Sequence, residues 1–376
     1  YADHRYLHSF PTRRSSDLHD IRAVDRKEGT IPVVTSSGIV GYHNEAKVSA
    51  PGVVTGRYGT IGEVFFISEP FWPSNTTLYV EDFKGNNPYF VFYLLQQVDF
   101  RKYSDKTGVP GINRNDVHKA WVFLPPLPEQ RAIAAILGTW DRAIALMEQR
   151  LAAAEQRKKA LMQKLLTGQV RFPEFAEEEW REVRFKDIAL INPPKLKNTD
   201  NDMLVSFIAM ADVSEDAQVI NTTERPYQEV NSGFTSFQDE DILIAKITPC
   251  FENGKGAWVH DLRNGLGFGS TEFHIIRVCK TRADPEYIYY HTIAHDFRGR
   301  GASDMVGSAG QKRIRTDFIE NYKIMLPSLP EQRRIAAVLN ACDREIDLLR
   351  RKRDALQHQK KGLMQRLLTG RVRVKI

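Results

Sequence analysis

The chain has 376 residues and a formal net charge of +6, which is enough length for two or more domains but too little charge to indicate a nucleic-acid partner by itself. Its three cysteines, Cys250, Cys279 and Cys342, lack metal-ligand spacing; they argue against a disulfide scaffold and for a reducing, cytoplasmic compartment. No apolar run approaches membrane-spanning length and no signal peptide is visible, so we expect no membrane contact.

Residues 1–18, YADHRYLHSFPTRRSSDL, show no periodicity and fit nothing further along the chain. The string resembles a translated sequencing adapter rather than a natural segment. We therefore predict that residues 1–18 are a non-native segment and exclude them from the fold prediction, and we predict that the first domain, at residues 19–123, is N-terminally incomplete.

The first domain begins with a β pattern. IPVV and IVGY flank a turn at Ser36-Ser37-Gly38, and GRYGTIGEVFFI carries glycines between short apolar runs. Asn87-Pro88 ends the strands, PYFVFYLLQQV predicts an aromatic helix, and WVFLP predicts a last strand. We therefore predict a small α+β domain.

An internal repeat follows, and it organises the whole chain. Residues 124–172 return without a gap at residues 326–374, with 27 identities over 49 aligned positions. Each copy opens with Leu-Pro-x-Leu-Pro-Glu-Gln, in which a proline suits the first turn of a helix, and each ends at Thr-Gly, where Gly168 or Gly370 can take the left-handed conformation. Each copy is therefore predicted to be one long helix of about 50 Å.

Apolar residues in both copies recur in alternating steps of four and three, which is the heptad pattern of a coiled coil. Two equivalent helices in one chain are expected to pack on each other, and antiparallel packing would place the domains between them at opposite ends. The predicted seam consists of Ile133, Leu137, Trp140, Ile144, Met147, Leu151, Leu161 and Leu165, and of Ile335, Leu339, Cys342, Ile346, Leu349, Leu356, Leu363 and Leu367.

Lysines interrupt this seam at the same place in both copies, at Lys158 and Lys360, and Arg353 interrupts it again in the second copy. One interpretation is that the aliphatic stems lie along the seam and set its register. The other is that the charged ends face an acidic partner or a phosphate. Residues 124–172 and 326–376 together carry a net charge of +12, and the remainder about −6, so the basic excess belongs to the helices.

After an acidic linker, the second domain, predicted at residues 173–325, follows the order of the first. DILIAKITP at 241–249 stands where VVTGRYGTI stands at 53–61, and STEFHII at 270–276 corresponds to NTTLYV at 75–80. PEYIYYHTIA corresponds to PYFVFYLLQQ, and residues 310–327 correspond to 108–125. We therefore predict a tandem of domain, helix (124–172), domain, helix (326–376).

This organisation, and in particular LPPLPEQ with its LLTG exit, resembles the specificity subunit of type I restriction–modification systems. The resemblance implies an α+β fold in which two target-recognition domains alternate with two long helices packed as an antiparallel coiled coil. It implies that each domain binds half of a split double-stranded DNA target and that the helices set the gap. It also implies docking of two methyltransferase subunits, which carry the S-adenosylmethionine chemistry, and of restriction subunits in some complexes.

Candidate DNA contacts were chosen from loops rich in Gly, Lys, Arg, Ser and Thr, because phosphates require cations or N–H groups and base edges require long polar side chains. For each, the alternative is a solvated loop charge or a tyrosine packed in a small core. The candidates are Ser36, Ser37, Tyr42, Arg57, Tyr58, Lys106 and Arg114 in the first domain, and Lys246, Thr248, Asn253, Lys255, Gln311, Lys312 and Arg313 in the second.

Catalytic motifs are incomplete. Asn192-Pro193-Pro194-Lys195 is similar to the motif of amino-group DNA methyltransferases, but Lys195 cannot stack on a flipped base, so we predict a turn after Ile191. His291 and His295 lie four apart without a completing carboxylate motif, and we predict an amphipathic helix surface there. We expect no catalysis, no metal and no cofactor bound by this chain.

One alternative stays open: a coiled-coil scaffold that joins two protein-binding modules without nucleic acid. The negative balance of the two domains favours it slightly, whereas the doubled helix entry and exit favour the specificity subunit. A third possibility is an inactive fragment, if the first domain lacks part of its fold.

Overall fold

The computed structural model describes residues 3–6, 12–14, 21–104, 111–195, 200–308 and 310–375, with side chains from residue 21 onward. It divides into two compact units. Unit 1 comprises Tyr1–Arg150 and Leu349–Ile376, and unit 2 comprises Leu151–Leu348. Each unit therefore contains an α+β part and one half of each long helix.

Unit 1 contains a four-stranded sheet of order β2-β8-β5-β6, a three-stranded sheet of order β4-β3-β7, and the pair β1-β9. Its strands are β1 (Asp3–Tyr6), β2 (Thr12–Arg14), β3 (Ile31–Thr35), β4 (Gly38–His43), β5 (Gly52–Gly56), β6 (Val64–Ile67), β7 (Trp72–Pro73), β8 (Thr77–Val80) and β9 (Trp121–Leu124). Its helices are α1 (Pro88–Leu95), α2 (Arg114–Val117) and the first part of α3 (Leu127–Leu166).

Unit 2 contains two four-stranded sheets, of order β11-β18-β15-β16 and β13-β12-β17-β14, and the pair β10-β19. Its strands are β10 (Arg181–Arg184), β11 (Ala189–Ile191), β12 (Leu204–Ile208), β13 (Thr223–Pro226), β14 (Thr235–Gln238), β15 (Ile242–Ala245), β16 (Gly256–Trp258), β17 (Leu266–Gly269), β18 (Phe273–Val278) and β19 (Lys323–Leu326). Its helices are α4 (Phe185–Ile188), α5 (Tyr227–Val230), α6 (Pro285–Ile293), α7 (His295–Asp304), α8 (Thr316–Asn321) and the first part of α9 (Leu329–Leu367).

The two units share one plan. In each, a four-stranded antiparallel sheet is accompanied by a second sheet with one parallel pair, β3 with β7 in unit 1 and β12 with β17 in unit 2. In each, the strand that enters the long helix pairs antiparallel with an early strand, β9 with β1 and β19 with β10. The predicted tandem of similar α+β parts and long helices is therefore confirmed, and β14 is an addition on the edge of the second sheet in unit 2.

Two segments within residues 1–18 form strands that pair with later strands, although the sequence shows no periodicity there. Strand β1 pairs with β9 from Asp3 opposite Leu124 to Tyr6 opposite Trp121, and β2 pairs with β8. A sheet edge is satisfied by backbone N–H and C=O groups, so pairing does not require the side-chain periodicity on which the prediction relied. The non-native origin of the segment stays a prediction.

Both long helices form as the repeat predicts. Helix α3 ends at Leu166 and α9 at Leu367, and the following Gly168 and Gly370 have φ of +71° and +73°, the left-handed conformation that ends a helix. Every predicted seam residue is buried or half-buried. Burial is complete near the helix entries, where Ile133 and Leu137 join the core of unit 1 and Ile335 and Leu339 join that of unit 2.

The helices pack antiparallel in each unit. In unit 2, Lys158 pairs with Asp343 and Arg171, beyond the end of α3, pairs with Glu331 near the start of α9. In unit 1, Asp141 pairs with Lys360, and Glu129 pairs with Arg373. Advancing along one helix means going back along the other, so the predicted antiparallel arrangement is confirmed. No helix among the described residues has the length and apolarity needed to cross a membrane.

Candidate nucleic-acid interface

In unit 1, four of the candidate residues lie together where β5 ends. The segment after residue 110 crosses the end of the strand, with the Ile112 N–H donating to the Arg57 carbonyl at 2.9 Å and a β-bridge between Tyr58 and Gly111. A Cβ at Gly111 would lie 2.4 Å from the Tyr58 ring, so the ring can keep this position only beside a glycine. The Arg57 guanidinium lies 4.5 Å from the Tyr58 ring centre and donates to its hydroxyl at 3.0 Å. Arg57 and Tyr58 therefore form one stacked cationic group.

The serine turn between β3 and β4 joins this group. The Ser37 hydroxyl lies 3.3 Å from that of Thr60, and the Ser36 N–H donates to the Thr76 hydroxyl at 3.2 Å. At Gly56, an added Cβ would lie 1.8 Å from the Thr60 carbonyl, so only glycine permits this close approach. The structure thus gathers Ser36, which is buried, and Ser37, Arg57 and Tyr58 around the end of β5. Their hydroxyl and guanidinium groups are donors of the kind that bind phosphates or base edges.

In unit 2, the equivalent place at the end of β15 holds a different set of charges. The Ile314 N–H donates to the Lys246 carbonyl at 2.9 Å, and a β-bridge joins Ile247 to Arg313. Arg313 forms a bidentate ion pair with Glu272, with Nη2 2.8 Å from Oε1 and Nε 3.0 Å from Oε2. The Lys246 ammonium donates to the Thr271 carbonyl at 2.9 Å.

Electrostatics at this place follow from burial and pairing. Burial lowers the pKa of Lys246, an effect that neighbouring Arg313 strengthens and Glu272 opposes. The Arg313 hydrogen bond holds the pKa of Glu272 below its usual range. The cluster therefore carries two cations and one anion, and the part of the Arg313 fork that does not face Glu272 remains able to donate outward.

These hydrogen bonds also correct the correspondence between the two domains by one residue. Ile112 and Ile314 are equivalent in the aligned segments 108–125 and 310–327, and their N–H groups donate to the carbonyls of Arg57 and Lys246, respectively, so Arg57 corresponds to Lys246. The predicted alignment of 53–61 with 241–249 places Tyr58 opposite Lys246 instead, and it is wrong by one position. We call this shared location, centred on Arg57 in unit 1 and on Lys246 in unit 2, the strand-end site.

Other candidates in unit 1 lie apart or outside the described residues. Tyr42 is 57% exposed in β4, opposite Pro32, about 17 Å along the hairpin from the serine turn. Arg114 is half-buried at the first position of α2, close to the crossing segment. Lys106 lies outside the residues that the structure describes.

In unit 2, two candidates are engaged away from the strand-end site. The Asn253 amide donates to Glu215 at 2.8 Å, and the Lys255 ammonium donates to the Met210 carbonyl at 3.1 Å. Both hydrogen bonds connect the 249–255 loop to the segment after β12, so these two side chains stabilise the fold.

The remaining candidates in unit 2 stand beside Arg313. The Thr248 N–H donates to the Lys312 carbonyl at 3.0 Å, and its hydroxyl donates to Glu252. Gln311 and Lys312 are exposed on the turn that leads into Arg313. The site at this end of unit 2 therefore comprises Lys246, Thr248, Gln311, Lys312 and Arg313.

Sequence reasoning missed Thr60, Thr76 and Glu272. Their signal lay inside segments that the domain comparison had already aligned, since Glu272 belongs to STEFHII and Thr76 to NTTLYV. Glu272 directly precedes β18, which pairs with β15, and a carboxylate in such a place is a candidate ion-pair partner for a cation at the end of β15.

Asn192 forms the predicted turn after Ile191. It takes φ +50°, its amide oxygen accepts from the Ile275 N–H, and its amide nitrogen lies 3.0 Å from His274 Nδ1. His274 Nε2 lies 3.0 Å from the Ile314 carbonyl, and burial lowers the pKa of His274 to about 4. The Asn-Pro-Pro-Lys motif therefore supports the segment at Ile314, which crosses the end of β15, through the neutral side chain of His274.

The prediction of a helix surface at His291 and His295 is wrong. His291 is buried in α6 edge-on to Tyr287, and burial lowers its pKa to about 3. Helix α6 ends at Ile293 and His295 begins α7, so the two histidines do not share one helix face. Among the described residues, no group of three or more His, Cys, Asp or Glu could hold a metal ion.

The Glu-Gln pair at the start of each repeat attaches the long helix to its surroundings. Glu129 and Glu331 are buried, and each accepts hydrogen bonds from the Nε and Nη2 groups of one arginine, Arg373 and Arg171, respectively. The Arg373 hydrogen bond holds the pKa of Glu129 below its usual range.

The glutamine of the same pair binds the cap of the aromatic helix. Gln130 accepts from the N–H of Asn87, the N-cap of α1, at 2.9 Å, and Gln332 accepts from that of Asp284, the N-cap of α6, at 2.8 Å. The LPEQ sequence thus fixes each aromatic helix to the start of a long helix.

The chain is thus a tandem of two α+β units of one plan, each with a strand-end site that contains cationic side chains and with half of each long helix. The family model described as "Type I restriction modification DNA specificity domain" matches residues 17–156 and again 177–358. The chain therefore belongs to the family of type I restriction–modification DNA specificity domains.

Named relatives agree with this assignment. The chain is 38% identical over 164 residues to the type I restriction enzyme EcoEI specificity subunit of Escherichia coli, covering 43% of this chain and 27% of that protein. It is 36% identical over 203 residues to the EcoAI specificity subunit of the same organism, covering 50% and 34%. The chain thus spans about a third or less of the length of these two relatives.

The fold is also that of a solved S subunit of a type I restriction–modification system from M. genitalium. The TM-score is 0.62 at 14% sequence identity, with 98% of this chain and 96% of that chain covered. At this identity the likeness concerns the fold.

Proposed function

We propose that this chain is the DNA-recognition subunit of a type I restriction–modification complex, and that each unit binds one half of a split double-stranded target. The observation that carries the proposal is the strand-end site, which recurs at the same place in two units of one plan but with different side chains. The same frame with different contact groups is what reading two different half-sequences requires.

The DNA contacts proposed are those that the fold gathers. In unit 1 they are Ser36, Ser37, Arg57 and Tyr58, with hydroxyl and guanidinium donors beside an aromatic ring. In unit 2 they are Lys246, Thr248, Gln311, Lys312 and Arg313, of which Gln311 and Lys312 are exposed. Cations here supply sequence-independent attraction to phosphates, and the arginine forks suit guanine edges.

The proposed role of the paired helices is to fix the gap between the two half-sites. Each helix is continuous, 40 residues in α3 and 39 in α9, and a rod of this kind is stiff over its length. Rigid linkage of two weakly binding units raises the overall affinity through effective concentration, without any new contact. One turn of DNA, about 34 Å, is the natural spacing for two such contacts on one face.

The experiment is selection of bound duplexes by the purified chain from a randomised DNA library, followed by sequencing at two salt concentrations. A split motif with one dominant gap, retained less at the higher salt, supports the proposal. Enrichment of no motif would refute it and would favour the alternative scaffold that joins protein-binding modules. Insertion of one heptad into each helix should shift the preferred gap and leave both half-sequences unchanged.

We further propose two methyltransferase subunits as partners, with restriction subunits able to join, and a cytoplasmic location. The helices carry the basic excess of the chain, and the repeat-equivalent Leu146 and Leu348 are 47% and 52% exposed, so the helices offer both charge and apolar surface. Methylation with S-adenosylmethionine and cleavage would then belong to those partners. Mass measurement of a complex purified with its methyltransferase tests the ratio of two to one.

A further inference from the structure

Each unit contains a cluster of one lysine, one aspartate and one tyrosine that joins three helices. In unit 2, Lys158 of α3 donates to Asp343 of α9 at 2.5 Å, and the Tyr290 hydroxyl of α6 donates to the other oxygen of Asp343 at 2.8 Å. The lysine ammonium also lies 5.5 Å from the centre of the Tyr290 ring. Every pair within the cluster is thus in contact. We call this group the unit 2 triad.

The unit 1 triad has the same geometry with the long helices exchanged. Lys360 of α9 donates to Asp141 of α3 at 2.5 Å, Tyr93 of α1 donates to the other Asp141 oxygen at 2.5 Å, and the ammonium lies 5.3 Å from the Tyr93 ring centre. Each long helix therefore contributes one aspartate to one triad and one lysine to the other. The interpretation that the seam lysines set the register is the one that this geometry favours.

These charges sit where a coiled coil ordinarily places apolar residues. The side chains of Lys158 and Lys360 are only 16% and 15% exposed, at heptad positions that are otherwise mostly apolar. Partial burial of an ion pair contributes little net stability compared with apolar residues of similar size, because desolvation offsets the attraction. Charged groups in such a seam instead specify one arrangement of the helices.

The arrangement that they specify follows from the repeat. In a parallel pairing in register, Lys158 would face Lys360 in the seam, and the aspartates, 17 residues earlier in each helix, would be out of reach of both lysines. Antiparallel pairing instead brings each lysine to an aspartate. The tyrosine also fixes the position of the aromatic helix, α1 or α6. Its hydroxyl reaches the aspartate only when that helix packs on the two long helices in the observed position.

We propose that the two triads are positioning devices that seat each recognition unit on the helix pair at one angle and register, and thereby restrict DNA binding to one spacer length. This inference rests on the proposed function, since it assumes recognition of a split DNA target. Tyr93, Tyr290 and their partners would not contact DNA. They would act through the orientation of the α+β part of each unit.

The test replaces the unit 2 triad by apolar residues of similar volume, as Lys158→Met with Asp343→Leu and Tyr290→Phe in the full chain. Binding is measured by the same library selection, scored for the length of the gap between half-sites. We expect an unchanged or higher melting temperature, unchanged half-sequences, and a roughly tenfold rise in the ratio of gaps one base pair too long or short to the preferred gap. The equivalent replacement of Lys360, Asp141 and Tyr93 should act in the same way.

The matched control is the Arg157–Glu345 pair, which joins the same two helices but is about half exposed. Arg157→Ala with Glu345→Ala should leave the gap distribution narrow. A second variant, Tyr290→Phe alone, keeps the lysine–aspartate pair and removes only the link to α6; it should widen the distribution in part.

The outcomes separate the two proposals. If the parent chain selects no split motif, the proposed function fails and this inference fails with it. If the parent selects one gap and the triple variant selects the same gap just as sharply, the positioning role is overturned while the proposed function stands. A triple variant that melts well below the parent, together with a Tyr290→Phe variant that keeps a sharp gap, would show a purely stabilising cluster and overturn the inference as well.

Discussion

Units 1 and 2 share the contacts that connect their helices, which we call the frame, but they differ at the strand-end site. Both use a glutamate at the helix entry bound to an arginine, a glutamine bound to the cap of an aromatic helix, and a lysine–aspartate–tyrosine triad. At the strand-end site, however, unit 1 stacks Arg57 on Tyr58, whereas unit 2 pairs Arg313 with Glu272 beside Lys246.

This difference separates two tasks within each unit. Contacts repeated in both units connect helices and strands, so they determine where each binding surface stands. Contacts that differ lie on segments after β5 and β15, where loops tolerate change because the strands and helices beneath them carry the core. Substitutions test this comparison. Those in the frame should lower the free energy of unfolding, whereas those at a strand-end site should change recognition of one half-sequence only.

The largest effect is expected in the frame, and it should be unequal between the units. Among the described residues, Arg171→Ala would leave Glu331, which is fully buried, with only the Trp180 indole N–H at 2.9 Å as side-chain partner. An uncompensated buried carboxylate costs about 3–5 kcal/mol of unfolding free energy. Arg373→Ala should cost less, because the Arg373 side chain is 47% exposed and Glu129 retains the Val374 N–H. Urea unfolding of both variants measures the difference.

Arg157→Ala serves as the control for both. Its partner Glu345 is 47% exposed, and an exposed pair of this kind contributes less than about 1 kcal/mol. Equal losses for all three variants would contradict the distinction between buried frame pairs and surface pairs.

At the strand-end sites, the expected effect is smaller and confined to one half of the target. Arg313→Ala should lower discrimination at one position of the half-sequence bound by unit 2 by about 1–3 kcal/mol, because a guanidinium fork gives two hydrogen bonds to a guanine edge. Arg57→Ala should do the same in the other half only. Library selection with each variant compares the two half-sequences directly. Weakening spread evenly over all sequences would indicate phosphate contacts instead.

Much of this frame could be predicted from the sequence. Heptad spacing and the Leu-Pro-x-Leu-Pro-Glu-Gln and Thr-Gly ends gave α3 and α9, because helix entry, seam and exit are local signals. Short apolar runs between glycine turns indicated most strands of unit 1.

Other features depend on the path of the chain and left no local signal. The pairing of Arg313 with Glu272, 41 residues away, exists only because β18 lies beside β15. The one-residue error in aligning the two domains arose because β5 and β15 are buried along their whole length, so no alternation marks which residues face which side. His291 was misplaced for a similar reason: α6 is buried on nearly all sides, so it has no polar face.

The smallest effect is a dependence on pH within unit 2. Burial lowers the pKa of His291 from about 6.5 to about 3, so the folded state keeps this histidine neutral at pH values where the unfolded chain takes up a proton. Above the unfolded-state pKa of about 6.5, His291 is neutral in both states and does not affect the free energy of unfolding. As pH falls below about 6.5, the unfolded chain takes up a proton and the free energy of unfolding decreases. Between pH 7 and 5.5, the loss attributable to His291 should be about 1 kcal/mol.

His291→Phe isolates this contribution. Phenylalanine preserves the edge contact with Tyr287, and His291 Nε2 has no hydrogen-bond partner in the part of the chain that the structure describes, so little is lost at pH 7. The difference between variant and parent in unfolding free energy should therefore grow in favour of the variant as pH falls to 5.5. His274, whose pKa is lowered to about 4 by burial, adds a dependence of the same sign that both proteins share. A difference that stays constant with pH would show that the solvent reaches His291 in the folded state.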